Sequence, residues 1–248
     1  DGSTGSPMFG AAAPTTSQVA ATGNRNIDGL LSGFAWTGSV SYSFPNSASD
    51  FQAGYGDGEP TEGFSQLSVY EQSLVNSIMS QVAQYTNLTI TYAGTDSADI
   101  TLAHSSDANP TAYAYYPDGS VPGGDIWFGT SYNYTLPRTG DYSTYIHIHE
   151  VGHALGLKHS FEAGGPANQS VSSAHDSLEY TVMSYRSFTN GPMALSNEQY
   201  GYPTTFMIDD IAALQTLYGA DYTTNGGNTV YSWNPITGEE FIDGVAQA

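Results

Sequence analysis

The spacing of apolar residues predicts three helices in the chain. Leu74, Ile78 and Val82 recur every four residues behind a Ser68–Glu71 capping box, which predicts a helix of about five turns with one buried face. Two later segments, "STYIHIHEVGHALG" and "TFMIDDIAALQTLYG", also have helical spacing, and each ends in a glycine that is typical of a helix stop.

Strand-forming runs bounded by turn signals lie between these helices. They predict strands at Gly38–Pro45, "LTITYAG", "ADITLAHS", "TAYAYYP" and "GDIWFG". Residues 1–25 show no sustained period and predict a flexible N-terminal arm. Residues 220–248 are polar and turn-rich, which indicates a C-terminal extension. The predicted folded domain therefore covers residues 26–219.

Composition restricts the partners. With 248 residues, 39% of them hydrophobic, the chain can form a sizeable core. It contains no run of 18 apolar residues, so no membrane-spanning helix is expected. The net charge of −20 argues against a nucleic-acid partner, because phosphate binding needs clustered cations. The chain has only four permanent cations, which are Arg25, Arg138, Lys158 and Arg186. It also has no cysteine, so a transition-metal site must use histidine and carboxylate.

The segment "HEVGHALGLKH" holds half of the chain's six histidines. His149 and His153 are four residues apart and lie on one face of a helix, where two imidazoles can share one Zn²⁺. Gly156 can adopt a positive φ, which would turn the chain and bring His159 round as a third ligand. Glu150 can reach a water on the open side of the metal. Three nitrogens and a water are typical of a catalytic zinc site, whereas solvent-facing histidines on an amphipathic helix are the structural alternative.

This segment resembles the zinc motif of the metzincin metalloproteases. "YTVMSYRS" resembles the second signature of that clan, with Met183 in the turn beneath the metal and Tyr185 at the position of the serralysin and astacin tyrosine. "IDDIAALQTLYGAD" and "IDGLLSGFAWTGSVSYSFP" resemble the end and the start of a serralysin catalytic domain. The resemblance implies an α+β metzincin-like fold, with a twisted, mostly parallel sheet, an antiparallel edge strand and long helices. It also implies an active-site cleft between an upper subdomain that ends at about residue 159 and a lower subdomain over 160–219.

Two departures from the serralysin pattern keep alternatives open. Ser160 follows the third histidine, where serralysins more often have proline and matrixins have serine, although matrixins lack the Met183–x–Tyr185 pattern. The C-terminal Gly-Gly-x-Gly-x-Asp repeats that bind calcium in a β-roll are missing from "TNGGNTVYSWNPITG". The alternatives are a matrixin-like protease, a proteolytically silent binding protein that kept the zinc fold, and a fragment of a longer protease.

The resemblance implies a secreted, extracellular zinc endopeptidase. One Zn²⁺ would be held by His149, His153 and His159, with Glu150 as general base for a zinc-activated water. Tyr185 would stabilise the oxyanion, and Met183 would support the ligands. A Ca²⁺ site is also expected, without a motif to locate it.

The expected partners are polypeptide substrates and a proteinaceous inhibitor, and the expected state is a monomer. The substrate is expected to lie extended beside an edge strand, as in β-augmentation. The sequence predicts that this strand consists of Gly124, Asp125, Ile126, Trp127 and Phe128.

Overall fold

The structure is a computed structural model that describes residues 15–51, 55, 58–224, 226–237 and 239–246. The helices are α1 (Arg25–Asp28), α2 (Val69–Tyr85), α3 (Tyr142–Ala154) and α4 (Ile208–Tyr218), with 3₁₀ turns at Ala48–Asp50 and Ser106–Ala108. The strands are β1 (Thr16–Gln18), β2 (Phe34–Trp36), β3 (Ser39–Ser43), β4 (Ser65–Gln66), β5 (Thr89–Tyr92), β6 (Ile100–His104), β7 (Ala112–Ala114), β8 (Ile126–Phe128), β9 (Tyr231–Trp233), β10 (Glu240–Ile242) and β11 (Val245–Ala246).

The main sheet is mixed and mostly parallel. Its strand order is β5-β3-β6-β8-β7, and β4 pairs with β6 beside β3. β3, β5, β6 and β8 run parallel to one another, whereas β7 runs antiparallel along the edge of β8. The predicted α+β fold class is therefore confirmed, as are the five predicted strands and three predicted helices in their main parts.

The predicted position of the edge strand is wrong. Residues 124–128 contain β8, which pairs with β6 on one side and with β7 on the other. Ile126, Trp127 and Phe128 are all fully buried. The exposed edge belongs to β7, one strand further out. Because both strands are short, local composition does not show which of them has a neighbour on each side.

Both ends of the chain contain more structure than their composition predicts. Residues 16–18 lie in the predicted flexible arm, yet they form β1, which pairs antiparallel with β2. Residues 1–14 of that arm lie outside the described residues. In the C-terminal extension, β9, β10 and β11 form a separate antiparallel sheet. None of the described helices is both long and apolar enough to cross a membrane.

Helix α2 begins at the predicted capping box. The Ser68 backbone N–H donates to Glu71 Oε2 at 2.7 Å, and the Glu71 N–H donates to Ser68 Oγ at 3.2 Å. Behind this cap, α2 buries Val75, Ile78, Met79 and Val82 in the core that it shares with α3. Of the predicted set, Ile78 and Val82 lie at the centre of this buried face, and Leu74 is half-buried at its margin.

Glu71 also joins α2 to the sheet and to α3. Its Oε1 lies 3.0 Å from His104 Nε2 on β6 and 3.4 Å from His147 Nε2 on α3. Burial alone would raise the pKa of Glu71, but hydrogen bonds with both histidines hold that pKa well below its usual range. His147 Nδ1 lies 2.7 Å from the Ser143 carbonyl, and its ring stacks on Phe128 at 4.3 Å. This buried cluster fixes the rotation of α3 on the sheet, and with it the direction of the neighbouring histidines.

The turn after α3 requires glycine. Gly156 has a φ of +99°, and a Cβ at this position would lie 2.4 Å from the Phe34 carbonyl oxygen. A left-handed backbone costs a side-chain-bearing residue roughly 1–2 kcal/mol, and overpacking adds about 1–3 kcal/mol.

We expect Gly156→Ala to lower the free energy of unfolding by about 2–5 kcal/mol, the sum of these two costs. Gly94→Ala is the matched control, since Gly94 has a φ of +79° but no atom within 4 Å of the added Cβ. Chemical denaturation should show that the control loses about 1–2 kcal/mol at most. Equal losses in the two variants would contradict the steric account of the turn.

Candidate metal centre

Helix α3 presents His149 and His153 one turn apart on the same face. The helix ends in the Gly156 turn, where the Leu157 N–H donates to the Gly152 carbonyl at 2.9 Å. The Lys158 N–H then donates to the Leu30 carbonyl at 2.7 Å. These bonds send the chain back past the end of the helix, and the next residue, His159, faces the first two.

The three rings converge through the same atom. His159 Nε2 lies 3.3 Å from His149 Nε2 and 3.2 Å from His153 Nε2. These histidines form the one cluster among the described residues that could bind a metal with at least three His, Cys, Asp or Glu ligands. The structure thus brings together the three histidines that the sequence predicts as ligands.

The opposite ring nitrogens determine the tautomers. His149 Nδ1 lies 2.7 Å from the Val182 carbonyl, and His153 Nδ1 lies 2.7 Å from the Leu157 carbonyl. A carbonyl can only accept, so each Nδ1 donates its proton and leaves the Nε2 lone pair free. His159 Nδ1 donates in the same way to Glu162 Oε1 at 2.9 Å.

Burial keeps the inner two rings neutral. Burial is the main reason that the pKa of His149 falls to about 3, and a charge on His159 would lower it further. Burial also holds the pKa of His153 well below its usual range, with smaller contributions from His149 and His159. Neutral imidazoles with fixed tautomers are the form in which histidine binds metal.

This donor set fits zinc. Three nitrogens bound at about 2.0–2.1 Å to one tetrahedral ion would be about 3.3–3.4 Å apart, close to the 3.2 and 3.3 Å measured here. Without a cation, three lone pairs would face each other at this distance. Only a positive charge among them gives all three a partner.

Glu150 lies beside the cluster. Its carboxylate is buried, and its Oε2 has no hydrogen-bond partner among the described residues. Burial raises the pKa of Glu150 to about 8. A buried oxygen without a partner indicates a place for a water or a ligand.

Tyr185 and Met183 approach the cluster from the segment after it. The Tyr185 hydroxyl lies 3.0 Å from His159 Nε2, on the exposed side of the cluster. Burial and the nearby Glu150 carboxylate raise the pKa of this hydroxyl to about 12, so it remains a proton donor. Met183 is fully buried, and its Sδ would lie 2.8 Å from a Cβ at position 152. Met183 therefore packs directly on the backbone of α3 beneath the histidines.

Asp210, at the start of α4, holds the methionine segment in place. It accepts hydrogen bonds from the Thr181 hydroxyl at 2.5 Å, the Val182 N–H at 2.8 Å and the Met207 N–H at 2.9 Å. The Val182 carbonyl in turn accepts from His149. A chain of contacts thus runs from α4 to the first histidine.

Two cavities border the cluster, and His149, Glu150 and Tyr185 line both of them. The larger, about 670 Å³, is lined by the aromatic and aliphatic residues Tyr132, Tyr142, Tyr145, Met193, Leu195 and Tyr202, together with His149, Glu150 and Tyr185. The smaller, about 340 Å³, contains all three histidines, Glu162 and Tyr116. Ala112 of β7 lines both cavities, so the exposed sheet edge borders the whole cleft.

Sequence reasoning missed two groups of residues in this cleft. Glu162 is three residues after His159, and this spacing was a usable signal for its contact with the ring. The tyrosines of the larger cavity gave no such signal, because the chain has 19 tyrosines. Tyr145 lies one helical turn before His149 and so shares its helix face, whereas Tyr202 reaches the cavity from an irregular segment that is distant in sequence.

Comparison with known proteins agrees with this geometry. The family model described as matrixin (Peptidase_M10) matches residues 35–179, which include the three histidines and Glu150. The "Metalloprotease AprA" of Pseudomonas entomophila (strain L48) is 34% identical over 241 residues, covering 88% of this chain and 48% of that protein. The "Serralysin" of Proteus mirabilis is 33% identical over 223 residues, covering 82% of this chain and 44% of that protein. The chain therefore spans about half the length of these curated relatives.

We expect the purified chain to bind about one zinc ion and His153→Ala to lose most of it. Loss of a residue that hydrogen-bonds to a metal ligand typically lowers metal affinity about 10–100-fold. Loss of the ligand itself should lower zinc affinity by more than that. Chelator competition would measure this affinity. His175→Ala is the control, because His175 contacts Asp209 and Tyr180 rather than the cluster. Equal zinc affinity in the two variants would remove His153 from the ligand set.

Proposed function

Because the chain belongs to the matrixin (Peptidase_M10) family, and to its serralysin-like members, we propose that it is a zinc-dependent endopeptidase. The observation that carries this proposal is the convergence of three neutral imidazoles beside a buried carboxylate, in a cleft bordered by an exposed strand. His149, His153 and His159 would hold the metal. A bound Zn²⁺ would supply Lewis acidity, which lowers the pKa of water and polarises a carbonyl.

Glu150 is the proposed general base. Glu150 lines both cavities, and its Oε2 has no hydrogen-bond partner among the described residues, so it is free to accept a proton from the attacking water. The same carboxyl group then passes that proton to the leaving amine. Burial makes Glu150 a stronger base than a carboxylate in solvent, and a nearby Zn²⁺ would favour the ionised form that can accept the proton.

Tyr185 is the proposed oxyanion donor. Its hydroxyl reaches the histidine cluster from the exposed side, where a substrate carbonyl would enter. A phenol that keeps its proton can donate to the negative charge that develops on the carbonyl oxygen. Met183 touches neither cavity and serves the site through its packing under α3.

A peptide substrate would lie along β7. Within the part of the chain that the structure describes, no strand pairs with the outer edge of β7, and backbone hydrogen bonds along such an edge bind extended peptides without regard to sequence. The substrate-strand role proposed from sequence for residues 124–128 is thus transferred to Ala112–Ala114. The size and aromatic lining of the larger cavity favour a bulky apolar side chain beside the cleaved bond.

An extracellular location is also part of the proposal. It is supported by the resemblance to serralysins and by the acidic composition, which favours solubility outside the cell. The expected calcium site, the monomeric state, the proteinaceous inhibitor and the division into two subdomains stay predictions.

We expect Glu150→Gln to keep the fold and the bound zinc but to lower kcat/KM about 10²–10⁴-fold. The amide has nearly the same shape and cannot accept a proton. Glu239→Gln, at an exposed carboxylate in the C-terminal sheet region, is the control. Casein or peptide hydrolysis within a few-fold of the unmodified chain would rule Glu150 out as the base.

We expect Tyr185→Phe to lower kcat about 100-fold and to leave KM and zinc content nearly unchanged. The hydroxyl interacts with the substrate oxygen mainly in the transition state, which is why the loss appears in kcat. Tyr222→Phe, at a tyrosine that is 86% exposed, controls for the loss of a phenol. An unchanged kcat would leave Tyr185 with a packing role only.

A further inference from the structure

A buried carboxylate lies beneath the segment that carries Tyr185. Asp176 Oδ1 accepts hydrogen bonds from the Ser160 hydroxyl at 2.6 Å and from the Ser184 hydroxyl at 2.8 Å. Ser160 directly follows His159, and Ser184 directly precedes Tyr185. One carboxylate therefore ties the third histidine to the proposed oxyanion donor. It also explains the serine at position 160, because proline has no hydroxyl to donate.

Arg186 neutralises this carboxylate and extends the network outward. Its Nε donates to Asp176 Oδ2 at 3.0 Å, and its Nη1 donates to the Gly191 carbonyl. The side chain of Asp176 is 9% exposed and that of Arg186 is 29% exposed, so the pair is largely shielded from water. The guanidinium thus connects the base of the site to the loop of residues 187–196.

That loop forms a wall of the larger cavity. Met193, Ala194 and Leu195 line the cavity, and Gly191 lies two residues before them. The loop contains no helix or strand, and Phe188 and Met193 are 50% and 44% exposed. Other hydrogen bonds also hold the loop, among them those from the Thr189 N–H to Glu179 Oε2 at 2.7 Å and from the Ser196 N–H to the Ser187 hydroxyl at 2.7 Å. Neither of these two involves Gly191, which Arg186 joins to Asp176. Arg186 is therefore placed to set the distance between this wall and Tyr185.

We propose that Arg186, held by Asp176, is a positioning residue that sets the width of the larger cavity and so selects the substrate side chain beside the cleaved bond. This inference rests on the proposed peptidase function. Arginine suits the task because its planar group donates in two fixed directions, towards Asp176 and towards Gly191. Lysine keeps the charge but cannot reproduce both bonds in that geometry.

The test compares Arg186→Lys and Arg186→Gln with the unmodified chain on two series of fluorogenic peptides. One series varies the residue before the cleaved bond, and the other varies the residue after it. In each series that residue is Leu, Tyr, Ala or Gly, and the rest of the peptide is constant. Arg25→Gln is the control, since Arg25 donates to the Ser170 carbonyl rather than to the cavity wall. Zinc affinity and the midpoint of thermal unfolding are measured for every variant.

We expect both Arg186 variants to lose about tenfold or more in kcat/KM on the bulky peptides of one series, mainly through KM. The Ala and Gly peptides should change less than about threefold, and zinc affinity should be preserved. Equal losses on bulky and small peptides, or an unchanged preference, would overturn the proposal. Arg186→Lys keeps the test decisive if Arg186→Gln does not fold. Failure of the unmodified chain to cleave any peptide would instead refute the peptidase function itself.

Discussion

Three imidazole lone pairs that point at one another impose the constraint on which the rest of this structure depends. His159 Nε2 lies 3.2–3.3 Å from the other two Nε2 atoms, while each Nδ1 is held by an oxygen on the far side of its ring. Rotation of a ring would break its outer hydrogen bond, so the lone pairs stay directed inward. A cation at their centre relieves the repulsion. The fixed orientation of the three rings is therefore favourable when a metal is bound, and without a cation it leaves the lone pairs in repulsion.

Each neighbouring element maintains part of this arrangement. The sheet and α2 fix α3 through Glu71 and His147, and the Gly156 turn supplies His159. The segment around Met183 is held from two sides, by Asp210 at the start of α4 and by Asp176 beneath the cleft. Because both carboxylates accept several hydrogen bonds, few polar groups below the site are left without partners. Glu150 Oε2 is one of several buried side-chain atoms without a hydrogen-bond partner among the described residues, and Glu150 is the residue among them that lines the cleft in which the reaction would occur.

The spacing of residues along the chain predicted the features that lie within a single helix. The helical spacing of Leu74, Ile78 and Val82 and the interval between His149 and His153 fix faces of single helices, so α2 and the ligand pair follow from them. The edge strand was misplaced because strand order depends on contacts far apart in sequence. For the same reason the Arg186–Asp176 pair could not be foreseen. It joins two irregular loops whose path is set by the buried network, and no periodicity marks either residue.

The proposed catalytic metal site joins the three histidines through their Nε2 atoms. A crystal structure of the zinc-loaded chain, with anomalous scattering recorded at the zinc absorption edge, tests it most directly. We expect one strong peak in the cleft about 2.0–2.1 Å from Nε2 of His149, His153 and His159, with no fourth protein nitrogen or sulfur bound. A peak elsewhere in the chain, or an ion bound through Glu162 in place of His159, would contradict it.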